Sequence, residues 1–208
     1  MAIPQGVIYF ATPSTPLIRR AIDAGVLACM AGPRQGNVIR PGWVWAADND
    51  RFRAGEWRRD DWLRFLDRNT GQLDGCLFAA VPDTVGDWQA TRDQWDQYAP
   101  EVTSRGYCAA YVAQDGAEDW PTGARVLFMG GTTAWKCGRD AWGLAMRAQR
   151  AGLWVHWGRV NSRRRFAMAA LDGDSADGTF LRFGPDRNLP ELVGWLNTFP
   201  FPKRGTEN

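Results

Sequence analysis

Between residues 169 and 181 the chain reads AALDGDSADGTFL, with Asp172, Asp174 and Asp177 inside six positions and Thr179-Phe180-Leu181 behind them. A carboxylate carried to the start of a buried strand is costly unless it is paired or put to use. Asp172 and Asp174 read as turn or helix-cap residues, which leaves Asp177 as the candidate for chemistry. Other polar residues close apolar runs in the same way. Asp48-Asn49-Asp50 follow Val44–Ala47, Pro82-Asp83 follow residues 76–81, and Gln114-Asp115-Gly116 follow the run at 108–112. Gly130-Gly131-Thr132-Thr133 follow Val126–Met129, and Gly158-Arg159-Val160-Asn161 follow the run at 153–156. Carboxylates gathered at one place supply a nucleophile, a general acid and a general base, the set that breaks a glycosidic bond through an oxocarbenium-like transition state. Like charges held close together also raise one carboxyl group's pKa, so that it carries a proton near neutrality.

Each of these residues also has a plainer role. Gly130-Gly131-Thr132-Thr133 suits a tight turn as well as a phosphate cradle, since the spaced Gly-Lys-Ser/Thr of a P-loop is missing. Asp83, Thr84 and Asp87 suit a loop leading to a capped helix, and Asn161 and Ser162 suit the cap of the next one. Arg163-Arg164-Arg165 suits a solvated helix face. His156, the one histidine, sits in an apolar run and reads as a satisfied core residue. The 12 tryptophans belong mostly to core faces, with one or two free to stack on a base at a rim.

The elements that would position these groups are short. Apolar runs at 7–10, 26–29, 44–47, 76–81, 108–112, 126–129, 153–156 and 176–181 give eight candidate strands, the last of which could instead be the shorter 174–177. Their continuous apolarity suits parallel strands covered on both faces. Amphipathic stretches at 57–68, 87–98, 135–150, 162–171 and 189–196 predict helices, while the connections after the second and fifth strands are less helical. "MAGPRQGNVIRPG" reads as a loop, one that could fold over a site. This order predicts a compact (β/α)8 TIM-type barrel over residues 1–198, a single domain with a loose tail at 199–208; a doubly wound open sheet is the alternative. In a barrel, functional residues belong at the C-terminal ends of the strands, where the polar clusters lie.

Composition narrows the function further. With 25 Lys plus Arg against 23 Asp plus Glu, the net charge of +2 makes no global case for a polyanionic partner. Nearly all the basic residues are arginine, in keeping with a GC-rich genome. The 4 cysteines show no C-x-x-C pair and read as small buried hydrophobes in a reducing compartment. No Cys/His spacing marks a metal site, and no run approaches the roughly 20 apolar residues of a membrane span. A soluble cytoplasmic protein without metal or cofactor is expected.

Taken in order, the strand ends resemble the tRNA-guanine transglycosylase family, and more closely its small members that exchange guanine for 7-deazaguanine derivatives in the DNA of phages and bacteria. Asp48-Asn49-Asp50-Arg51-Phe52 is similar to the family's Asp-Ser-Gly-Gly-aromatic motif, though only the Asp and the aromatic are kept. Asp83 matches a base-recognition Asp, Val112-Ala113-Gln114-Asp115-Gly116 a Val-Gln-Gly segment, and Gly130-Gly131 a Gly-Gly segment. Asp174-Ser175-Ala176-Asp177 resembles the Gly-x-Asp-x-x-Asp motif that ends in the nucleophile, with Gly173 displaced by one. The resemblance implies Asp177 as nucleophile, Asp48 as acid/base, and Asp83, Gln114 and the Gly130-Gly131 backbone as readers of a flipped purine. It implies Arg159, Asn161, Arg163 and Arg164 as contacts to backbone phosphates. The expected partners are DNA and a free 7-deazapurine base, with a homodimer possible. The Cys/His zinc appendage of the tRNA enzymes has no counterpart here, which argues against tRNA. Restriction evasion by phage-encoded DNA modification would be the setting. Alternatives are a DNA glycosylase that leaves abasic sites, an inert nucleotide- or DNA-binding barrel, and an unrelated barrel enzyme such as a glycoside hydrolase.

Overall fold

A computed structural model describes residues 6–52 and 57–199. Eight parallel strands close into a ring in sequence order, β1 (Ile8–Ala11), β2 (Ala28–Ala31), β3 (Trp45–Ala47), β4 (Cys76–Ala80), β5 (Ala109–Ala113), β6 (Val126–Met129), β7 (Trp154–Trp157) and β8 (Ser175–Asp177). β8 pairs with both β7 and β1, in register Phe10 with Asp177. The expected (β/α)8 barrel is therefore the observed fold.

Strands of only three to five residues suffice because nearly every position is covered on both sides. Side chains alternate. Ile8, Phe10, Met30, Phe78 and Val126 fill the barrel's interior, while Tyr9, Ala11, Cys29 and Leu127 meet the outer layer. That layer consists of α1 (Pro16–Asp23), α2 (Arg59–Arg68), α3 (Trp88–Thr103), α4 (Thr133–Lys136), α5 (Arg139–Arg150), α6 (Arg163–Asp172) and α7 (Pro185–Thr198). As the sequence suggested, neither β2–β3 nor β5–β6 is bridged by a helix among the described residues.

Several details differ from expectation. Thr179-Phe180-Leu181 does not extend β8; residues 180–182 turn into a short 3-10 helix after Gly178. The helix expected at 135–150 is two, because Gly138 caps the start of α5 and separates it from α4. α1 was passed over in the sequence, although Thr15 caps it through its side chain and Pro16 sits at its first position, where a missing N–H costs nothing. Of the cysteines expected to be buried, Cys29 is, Cys76 and Cys108 are half-buried and Cys137 is exposed; all four are free thiols. The caps foreseen at Asp87 and Ser162 are present, accepting from Ala90 N and Arg165 N. Apart from Phe199, which packs on Phe166, the expected tail at 199–208 lies outside the described residues. No helix among them is long and apolar enough to cross a membrane.

Candidate active site at the barrel mouth

The C-terminal ends of the strands surround a cavity of about 380 Å³. Asp48, Asp83, Gln114, Gly130, Gly131, Arg159, Asn161 and Asp177 all line it, so residues separated by up to 129 positions in sequence meet at one place, whereas Arg163 and Arg164 are exposed on α6 and do not. Phe10, Phe52 and Phe128 wall the cavity, and no tryptophan does. The rim aromatic is Phe52, which lies 4.3 Å from the Arg159 guanidinium.

Asp177 is the last residue of β8, at the rim. Its Oδ1 accepts from the Arg159 backbone N–H at 3.0 Å and faces His156 Nε2 at 3.3 Å. Its Oδ2 takes no hydrogen bond among the described residues, which leaves it for a ligand in the cavity. His156 is fully buried against Phe10, Phe78 and Phe128, and burial pushes its pKa below the usual histidine range despite the carboxylate beside it. A neutral ring with its proton on Nε2 satisfies every group: Trp154 Nε1 donates to Ser175 Oγ, Ser175 Oγ to His156 Nδ1, and His156 Nε2 to Asp177. His156 is thus a satisfied core residue, as expected, and also the orienting partner of Asp177. The sequence signal was period-two alternation, which turns His156 on β7 and Ser175 and Asp177 on β8 to the same interior.

Asp48 follows β3 and is pressed from the opposite side. Burial, then the nearby Asp50 and Asp177 carboxylates, raise its pKa to about 7. Its Oδ1 accepts from Asp50 N at 3.2 Å. Asp50 itself holds the loop after β2, its Oδ2 accepting from Arg34 N at 2.9 Å.

Asp83 and Gln114 form a bonded floor. The Asp83 oxygens accept from Asn49 Nδ2 at 2.9 Å and Gln114 Nε2 at 2.6 Å, while Gln114 Oε1 accepts from Gly131 N and Gly86 N, both at 3.0 Å. Burial raises the Asp83 pKa, with Asn49 and Arg51 opposing it. The Gly130 N–H goes to Ala113 O, so what the Gly-Gly segment gives the cavity is close approach. A Cβ on Gly131 would lie 2.4 Å from the Trp135 ring, and its φ of 57° favours glycine besides.

Arg159 adopts the left-handed region, φ 58°, a backbone state that costs a non-glycine residue about 1–3 kcal/mol and persists only where surroundings enforce it. Here its side chain donates to Gly131 O, its N–H holds Asp177, and its carbonyl accepts from Arg165. Lys136 braces the same turn by donating to Gly158 O. Burial, with Arg159 next, pulls the Lys136 pKa down to about 7. Asn161 pins the turn after β8: its Oδ1 accepts from Thr179 N at 2.7 Å and its Nδ2 donates to Thr179 Oγ1.

No family model matches the chain, and no curated protein matches it. Among solved structures it is similar to a 4-hydroxy-2-oxoglutarate aldolase/2-deydro-3-deoxyphosphogluconate aldolase from TTHB1, at 10% identity and a TM-score of 0.55, over 93% of this chain and 92% of that one. It also aligns with tryptophan synthase from M. tuberculosis in an aminoacrylate- and BRD0059-bound form, at 15% identity and a TM-score of 0.49, over 92% of this chain and 77% of that one. At such identities the likeness shows the barrel alone.

These findings correct the expected function. The barrel that the chain resembles over nearly its whole length is that of an aldolase, and exchange of guanine in DNA is set aside, together with base excision from DNA and the inert DNA-binding barrel. The residues meant to grip a DNA backbone are also engaged elsewhere. Arg159 and Asn161 hold the strand-end turns, and the Arg163 guanidinium lies 5.7 Å from the Phe199 ring.

Proposed function

We propose that the barrel mouth is the active site of an enzyme that cleaves or transfers a small glycoside with a flat heterocyclic leaving group, through an ester on Asp177. One observation carries this reading: two carboxyl groups line one cavity in opposed surroundings. Asp48 is half-buried with its pKa raised to about 7, so it keeps part of its proton at neutrality, and Asp177 accepts two N–H groups and has a free oxygen beside the cavity. A carboxyl that holds its proton beside one held in place by N–H donors suits the first to the acid role and the second to the nucleophile.

In the first step Asp177 Oδ2 forms a bond to the anomeric carbon. The bond to the heterocycle breaks, its electron pair leaves with the base, and Asp48 gives the departing nitrogen its proton. In the second step water or another acceptor attacks the same carbon from the vacated side, Asp48 takes the acceptor's proton, and the Asp177 carboxylate is released. Two inversions give net retention. The Phe52 and Phe128 rings offer flat walls for a heterocycle, and Asn49, Asp83 and Gln114 a polar floor for its edge. The resemblance to transglycosylases at Asp48 and Asp177 supports the kind of bond and says nothing of a polymer.

A carbonyl condensation through a lysine imine fits less well. Lys136, the only lysine among the described residues, stands outside the lining of the mouth and is bonded to Gly158 O.

The test is covalent trapping. 2-Deoxy-2-fluoro ribosyl and arabinosyl compounds bearing purine or dinitrophenyl leaving groups are incubated with the protein, and intact and peptide masses are recorded. A one-glycosyl adduct on the Asp177 peptide, lost in Asp177→Asn, is expected. No adduct and no released leaving group from any compound would overturn the proposal.

A further inference from the structure

A second cavity of about 640 Å³ opens beside the mouth and shares Thr12, Gln35, Gly178, Thr179 and Arg182 with it. The two adjoin at the turn that follows Asp177, whose Gly178 and Thr179 border both. Among the described residues the second cavity is lined by three arginines, Arg19, Arg34 and Arg182, and by no aspartate or glutamate. In a chain whose acidic and basic residues nearly balance, this concentrates one sign of charge in a concave wall.

The arginines come from three separate parts of the fold. Arg19 lies on α1 and is anchored through Nε to Pro13 O at 3.0 Å, and its two terminal nitrogens make no hydrogen bond to the described residues. Arg182 ends the 3-10 turn after β8, and its guanidinium lies 6.0 Å from the Phe183 ring. Neither forms an ion pair with a carboxylate among the described residues. Arg34 follows β2, where Asp50 fixes its backbone. α1 begins beside the cavity, with Ser14 and Ile18 in the lining and no acidic residue in its first turn, so the start of the helix adds no negative side chain there.

We infer that this cavity is a phosphate subsite, and that the molecule attacked at the mouth carries a phosphate ester on its sugar. Guanidinium groups suit phosphate oxygens because they offer paired donors in a plane. The position suits a sugar substituent in particular: Gly178 and Thr179, which border the subsite, directly follow the nucleophile. A sugar bonded to Asp177 would have its phosphate within reach of Arg182 while its heterocycle lay against Phe52 and Phe128. The inference rests on the glycosyl reading for the placement of the sugar; the charge and shape of the subsite do not depend on it.

The test is calorimetric titration at constant ionic strength with ribose, ribose 5-phosphate and inorganic phosphate. The wild type is compared with Arg19→Ala, Arg182→Ala, Arg182→Lys and Asp177→Asn, each checked by thermal melting. Ribose 5-phosphate is expected to bind at least about tenfold more tightly than ribose, and each arginine-to-alanine change to weaken it about tenfold, as loss of a hydrogen bond to a charged group does. Arg182→Lys should lose less, and Asp177→Asn should keep the preference. Tighter binding of ribose 5-phosphate than of inorganic phosphate would support an ester on the substrate. Equal binding of the two, still sensitive to both arginines, would overturn the ester and leave a site for free phosphate. Equal binding of ribose and ribose 5-phosphate, or a preference that survives both alanine variants, would overturn the subsite altogether. A preserved phosphate preference without covalent trapping would refute the glycosyl reading alone, and trapping without a phosphate preference would refute this inference alone.

Discussion

Asp48→Asn should remove a loss of stability that accompanies rising pH. In the folded protein Asp48 holds its proton up to about pH 7, while the same carboxyl in an unfolded chain releases it near the ordinary value of 3.8. Between those values the native state binds the extra proton, so the contribution of Asp48 is fully present below 3.8 and is lost as pH rises to 7. Three units at 1.36 kcal/mol each set an upper figure of about 4 kcal/mol. Asp48 is half-buried and opens onto the mouth, so solvent reduces the effect to about 2 kcal/mol. The assay is urea unfolding of wild type and Asp48→Asn, followed by tryptophan fluorescence between pH 4.5 and 7.5. Asparagine keeps the acceptor for Asp50 N and has no proton to lose, and groups that titrate alike in both proteins cancel in the difference. The variant should gain on the wild type by about 2 kcal/mol across that interval. A difference that stays constant would mean that Asp48 titrates normally, and the assignment of the acid role would fall with it.

Lys136→Met should remove a trend of the opposite sign. The lysine's pKa falls from 10.5 to about 7 on folding, so the unfolded chain binds more protons between those values and wild-type stability should rise with pH, by about 2 kcal/mol between pH 7 and 8.5; parallel urea curves should show the rise in wild type and a flat response in the variant. Gly178→Ala should destabilise by about 1–3 kcal/mol, since its Cβ would stand 2.2 Å from Asn161 Oδ1 and 2.6 Å from Val160 O; a thermal midpoint unchanged from wild type would contradict the tight turn after Asp177.

The barrel was legible because its strands are apolar on both faces and its polar residues gather where strands stop. Asp48, Asp83, Gln114 and Asp177 could be picked out one at a time for that reason. What could not be read is anything that depends on register across the ring. His156 becomes the partner of Asp177 only when β7 and β8 lie side by side, with His156 opposite Ser175. The low pKa of Lys136 depends on burial that a short polar helix does not advertise, and the arginines of the phosphate subsite, at 19, 34 and 182, share no motif. The structural part played by Arg159 was illegible for a related cause: its left-handed backbone makes it a clamp between β6 and β8, through Gly131 O and Asp177, which only the closed ring brings together.

The closure of β8 onto β1 also bears on how the chain acquires activity. Ile8 pairs with Ser175 and Phe10 with Asp177, contacts between opposite ends of the sequence. Pairings of this separation carry the largest loop-closure cost and are slow to form. Asp48 and Asp177 face each other only after the ring is complete, so a nascent or partly folded chain has every carboxylate and no active centre. Recovery of covalent trapping during refolding would therefore time the final seam of the barrel.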